Sequence, residues 1–160
     1  MRKVVSNTTP ILSLLKIGQL PLLQTLYQRV IVPEAVWLEI EAGKDKVFYT
    51  DLKTIPWFEV QTISNAAAID YLTDLDKGEA EVIILAREIA ADLVIIDETL
   101  GRQYARHFEL TYTGMLGILL RAKKEGHLTV VKPLLHQLRE NGVWISDQIF
   151  YEILQMAEEI

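Results

Sequence analysis

The chain has 160 residues, a net charge of −6 and no cysteine. The missing thiols exclude disulfides and thiolate metal sites, so any metal must be held by oxygen or imidazole. Half of the residues are hydrophobic and 24% are charged, with eight Gly and five Pro, a composition of packed globular proteins and not of disordered ones.

The length suits one domain over residues 1–160. The first residues lack the apolar core of a signal peptide, and no apolar run approaches membrane-spanning length. A soluble cytoplasmic protein without a membrane partner is therefore expected. The acidic total argues against a wholly basic nucleic-acid coat, yet residues 99–132 carry a local +4 and the remainder −10.

The first expected strand, residues 3–6, runs into Ser6-Asn7-Thr8-Thr9, and Thr9 before Pro10 marks a helix start. A second strand is expected over 29–32, followed by a helix that Pro33 opens and Gly43 stops. Residues 43–56 mix charges and aromatics without a period, which predicts a mobile arm over the sheet edge. A third strand is expected at 58–61, a helix from Ser64, and another from Asp76 to about residue 90.

The fourth strand, 93–96, ends in Asp97-Glu98, and the fifth is expected at 110–112. Beyond it, from about residue 114, the pattern is helical over 115–124, 131–141 and 146–159, with Gly126 as a stop and Ser146 as a cap. Leu116, Leu119 and Leu120, then Leu134, Leu135 and Leu138, then Ile149, Ile153 and Leu154 form apolar faces for the sheet or a second copy. Short β-branched runs alternating with helices predict an α/β fold in three layers, α/β/α, with a mainly parallel sheet of about five strands and a helical C-terminal tail.

In open parallel sheets ligands bind outside the carboxyl ends of the strands. That directs attention to Asn7 and to Asp97, although a turn at Asn7 and a cap at Asp97 explain each one singly. Helical phase adds two acids, because each residue advances about 100° around the axis. With Glu79 at zero, Val82, Ile83, Ala86 and Ala90 fall within about 60° of it, and Glu81 and Glu88 lie opposite.

Glu79 is thus expected on the buried face, where a carboxylate needs a partner, a hydrogen bond or a metal. The competing explanation is a capping box, Asp76-x-x-Glu79. In the helix after Pro33, Glu39 lies about 60° from Val36 on the inward side, while Glu34 and Glu41 face away. A surface position at the edge of the stripe is the alternative for Glu39. Acids gathered together repel unless one is protonated or a divalent ion binds, and Mg²⁺ or Mn²⁺ suits carboxylate and amide oxygen.

His107, His127 and His136 show no ligand spacing, and no phosphate-cradling glycine loop occurs, since Gly78 stands alone. Arg102, Arg106, Arg121, Lys123 and Lys124 are candidates for gripping a phosphate backbone, with a solvated helical face as the other reading.

Taken in order, Val5-Ser6-Asn7-Thr8-Thr9-Pro10, Val32-Pro33-Glu34-Ala35-Val36-Trp37-Leu38-Glu39-Ile40, Gly78-Glu79-Ala80-Glu81 and Leu93-Val94-Ile95-Ile96-Asp97 resemble the acidic motifs of the PIN domain. Gly101-Arg102 and Gly114-x-x-Gly117 with the helical tail resemble one prokaryotic PIN-like family in particular. The resemblance implies a metal-dependent ribonuclease acting on RNA, with toxins of toxin–antitoxin pairs among its relatives. An antitoxin protein and a homodimer follow as expected partners.

By resemblance Asn7, Glu39, Glu79 and Asp97 hold Mg²⁺ or Mn²⁺; Glu39, Glu79 and Asp97 act in catalysis; Thr8 and Thr9 orient a water or ligand from behind. Glu79 rather than Glu81 matches because Ala86 follows seven residues later. Asn7 departs from the pattern, which has aspartate there; an amide oxygen can ligate but brings no charge. A binding module with an impaired metal site is therefore the alternative. A phosphotransfer enzyme is disfavoured, because Asn7 cannot accept a phosphoryl group.

Overall fold

The computed structural model describes residues 2–160. Five strands, β1 (Val4–Ser6), β2 (Val30–Pro33), β3 (Phe58–Gln61), β4 (Leu93–Ile95) and β5 (Tyr112–Thr113), form one parallel sheet in the order β3-β2-β1-β4-β5. Parallel neighbours cannot be joined by tight turns, so each link crosses a face of the sheet, mostly as helix. The helices are α1 (Thr8–Lys16), α2 (Pro21–Tyr27), α3 (Glu34–Glu41), α4 (Lys77–Glu88), α5 (Thr99–His107), α6 (Met115–Lys124), α7 (Lys132–Glu140) and α8 (Asp147–Met156). The architecture is three-layered α/β/α, as the alternating pattern predicts.

The central strands β1 and β4 are buried along their whole length. This is why they read as uninterrupted apolar runs and not as alternating ones. One apolar cluster extends from Val4 through both helical layers to Ala157. The tail joins it through Leu134, Leu135, Leu138, Phe150, Ile153 and Leu154. Ile149, expected on that face, is exposed and Phe150 takes the inward position. Glu159 fastens the end of the chain, accepting from the Val131 and Lys132 amides at 2.7 and 2.9 Å and from Lys123 Nζ at 2.9 Å.

Several boundaries differ from expectation for local reasons. Asn7, not Thr9, caps α1. The first helix breaks at Gly18, whose φ of 66° requires the left-handed region, and Pro21 restarts it as α2. Ser64 opens no α-helix; its amide is held by Glu88 at 2.7 Å ahead of a 3-10 turn, Ala66–Tyr71. Strand β5 starts later than expected because α5 ends in a left-handed turn at Glu109, from which the Leu110 amide returns to Ala105. The segment 43–56 is fastened beside β3: Leu52 is fully buried, and Tyr49 Oη donates to Glu41 at 2.6 Å.

Candidate active site

Strand order locates the site. From β1 the chain moves outward through β2 and β3 on one side, and β4 and β5 occupy the other. The switch in direction falls between β1 and β4, and the crevice outside their carboxyl ends is where such sheets bind ligands. The register pairs Ser6 with Ile95, and the Asn7 amide donates to Ile95 O at 2.9 Å. Asn7-Thr8-Thr9 therefore lies alongside Ile96-Asp97-Glu98.

Five helices begin at this edge: α1 after Asn7, α3 after Pro33, α4 after Asp76, α5 after Glu98 and α6 after Gly114. Their unpaired amides favour negative charge, partly offsetting repulsion among the acids. Asp97 shows it directly, accepting from the Met115 amide at 3.0 Å, with Arg102 Nη2 at 3.6 Å. Arg102 is itself anchored by Nε donating to Ile96 O at 2.9 Å. A side chain at Gly114 would collide with both Asp97 and Arg102, so glycine is required for this approach.

Glu39 reaches the crevice from α3. Much of the residue is accessible to solvent, but Oε2 accepts from Thr8 Oγ1 at 2.6 Å. A methyl at Gly78 would strike its carboxylate; the missing Cβ lets α3 and the first turn of α4 close together. Burial raises the Glu39 pKa, with Thr8 opposing and Asp76 and Glu98 reinforcing the rise.

Glu79 lies at the start of α4, its Oε2 3.4 Å from where a Cβ of Gly101 would stand. The capping box is half formed: Asp76 accepts from the Glu79 amide at 2.8 Å, without a return bond from the Asp76 amide to the Glu79 carboxylate among the described residues. Burial first, then Asp76, Glu98 and Glu39, push its pKa up to about 8. Burial likewise raises Asp97, against the Met115 amide and Arg102.

Glu81 corrects the helical-phase reading. Expected on the outer side, it is 6% exposed, more buried than Glu79, and accepts from the Ala35 amide at 3.1 Å at the start of α3. Helix α4 is covered by α3 as well as by the sheet, so both sides of it are interior.

Glu98, which sequence reasoning passed over, belongs to the group. It accepts from Asn7 Nδ2 at 3.0 Å and from Thr9 Oγ1 at 2.7 Å, tying β1 to β4. Its place directly after Asp97 was the available signal. Asp76 was read only as a cap, yet it contributes charge beside Glu79.

Of the candidate phosphate-gripping residues, only Arg102 stands at the acids. Arg106 reaches the Tyr112 hydroxyl at 3.4 Å. Arg121 is paired with Glu125 and Lys123 with Glu159, at the far end of α6 from Met115, and Lys124 is exposed there.

The donor set is entirely oxygen, from carboxylates, an amide and threonine hydroxyls, which fits a hard divalent cation. Burial first, and then the charges of Asp76, Glu98 and Glu39, disfavour an ionised Glu79, and a bound cation would oppose both effects. Among the described residues no three acids or histidines already stand arranged around one ion position. Three of the carboxylates instead face a donor: Thr8 for Glu39, Asn7 and Thr9 for Glu98, Met115 and Arg102 for Asp97.

A family match assigns this parallel α/β/α sheet, with acids at its switch point, to the PIN domain, a nuclease-type fold. The chain belongs to the PIN-domain family DUF3368, whose model matches residues 3–159. No curated protein sequence matches it significantly. PIN domains are generally nucleases that bind nucleic acid. No helix among the described residues is long and apolar enough to cross a membrane.

Proposed function

We propose that this chain is a metal-dependent endoribonuclease that hydrolyses RNA phosphodiester bonds, acting in the cytoplasm as the toxin of a toxin–antitoxin pair. The observation that supports the nuclease reading is the set of acids at the switch point: Glu98 bonded to Asn7, Glu39 bonded to Thr8, Asp97 directly before Glu98, and Glu79 under the charge of Asp76, Glu98 and Glu39. The toxin role, an antitoxin partner and a homodimer rest on the likeness to PIN toxins.

Glu39, Glu79 and Asp97, with the Asn7 amide oxygen, would hold Mg²⁺ or Mn²⁺. When bound, the ion supplies charge neutralisation and Lewis-acid activation at the phosphate. Thr8 fixes the Glu39 carboxylate, and the Met115 amide with Arg102 fixes Asp97, so little reorientation is needed where charge develops. Thr9 and Asn7 hold Glu98 across the crevice. Burial and its acidic neighbours push the Glu79 pKa up to about 8, and a cation held by these residues would favour its ionised form. Water attack forms a new P–O bond as the P–O3′ bond breaks and the 3′ oxygen takes a proton, leaving a 5′-phosphate and a 3′-hydroxyl.

Labelled single-stranded RNA incubated with Mn²⁺, beside an EDTA control, tests this. The wild type is expected to cut only with the metal, and Glu79→Gln to lose about 100-fold or more of that activity with an unchanged fold. Cleavage by Glu79→Gln at the wild-type rate rejects the assignment.

One observation favours a second reading, a binding module with an impaired metal site: Asn7 brings no charge and its Nδ2 is engaged by Glu98. In the same assay RNA would then be retained uncut, with or without metal.

A further inference from the structure

The loop between α7 and α8 presents Trp144 to solvent at 85% exposure, although its backbone is closely held. Gly142 turns the chain at φ 85°, the Val143 amide donates to Leu138 O at 2.9 Å, and Ile145 is buried. Arg139 Nη2 donates to Ile145 O at 2.7 Å and pairs with Asp147 at 3.1 Å. A tryptophan offers a broad apolar face and a polar N–H together, which is why the residue is enriched at contact surfaces.

Trp144 lines the same cleft as Asp97 and Arg102, about 520 Å³ in volume, with Thr9 and Lys16 on its other wall. That volume lies within the range of about 300–1,000 Å³ typical of ligand clefts. Lys16 has no carboxylate within ion-pairing distance among the described residues, its ammonium lying 5.4 Å from the centre of the Phe48 ring, and Arg102, over the Tyr112 ring, uses Nε on Ile96 O and Nη2 toward Asp97. The cleft therefore joins an acid of the site, two cations and an aromatic face.

We propose that Trp144 is a base-stacking platform for single-stranded RNA, which seats a nucleotide next to the scissile phosphate while Arg102 and Lys16 take the backbone phosphates. This rests on the nuclease reading and specifies how that site takes its substrate. Stacking on an aromatic face requires an unstacked base, so the platform selects single strands over duplex. It adds affinity with little sequence preference, since every base has a π-face.

The test measures anisotropy of a labelled single-stranded RNA oligomer in EDTA, so that cleavage is silent, for wild type, Trp144→Ala and Trp144→Phe, with a duplex control. Trp144→Ala is expected to bind about 5- to 100-fold more weakly and Trp144→Phe to recover much of the loss. Bound RNA should also quench Trp144 fluorescence. Circular dichroism and gel filtration of Trp144→Ala should match wild type.

Equal binding by wild type and Trp144→Ala, equal affinity for duplex, or a change in oligomeric state on Trp144→Ala overturns the platform while leaving the nuclease reading in place. Trp144-dependent binding without metal-dependent cleavage supports the platform and removes the nuclease. No RNA binding by wild type overturns both.

Discussion

Asn7 Nδ2 donates to Glu98 Oε2 at 3.0 Å across the seam between β1 and β4, joining the neutral member of the site to a carboxylate that follows Asp97 directly. The bond needs a donor at position 7, and aspartate has none when ionised. An amide at the end of β1 thus lowers the charge of the crevice and braces it when no cation is bound.

Asn7→Asp is accordingly expected to act in two directions. Without metal at pH 8 it places a buried carboxylate against Glu98 and should melt a few degrees lower than wild type. With Mn²⁺ the added charge should tighten binding on the order of tenfold, about 1.4 kcal/mol. Isothermal titration showing weaker binding counts against Asn7 as a ligand.

Gly78→Ala separates stability from site geometry. Alanine improves helix propensity by about 1 kcal/mol, and the group it strikes is the movable end of Glu39. Thermal stability should therefore be unchanged or slightly raised, while Mn²⁺ affinity falls about 10-fold because Glu39 is displaced from Thr8. Unchanged metal affinity would separate Glu39 from the site.

The pKa of Glu79 links stability to pH. Its folded value, about 8, exceeds the ordinary 4.5, so between these limits the native state binds more protons than the unfolded one. The stability tied to that proton is complete below the ordinary value and is lost as pH rises through about 8. The metal-free protein should melt a few degrees lower at pH 8.5 than at pH 5.5. Glu79→Gln should flatten the slope, and Mn²⁺ should restore the loss at the higher pH. A wild-type melting temperature that rises over this interval contradicts the assignment.

Much of the fold was legible because buried parallel strands announce themselves as short β-branched runs and because Asp76 and Ser146 cap their helices in the usual way. The start of α5 was not, since its cap is Glu98, a residue with no marked preference for that position. Glu81 was misplaced for a related reason. Helical phase describes a helix with one wet face, and α4 is enclosed by α3 and the sheet together.

The linear sequence determined the layer architecture and the absence of thiol chemistry, and singled out Glu39, Glu79 and Asp97 as candidates, because periodicity and composition act over short stretches of chain. Only the tertiary structure decided that β1 and β4 are neighbours, and with that the meeting of Asn7 and Thr9 with Glu98, of Thr8 with Glu39, and of Trp144 with Asp97 in one cleft. Those contacts depend on strand order and on the helix starts gathered at one sheet edge, long-range relations that local spacing does not encode.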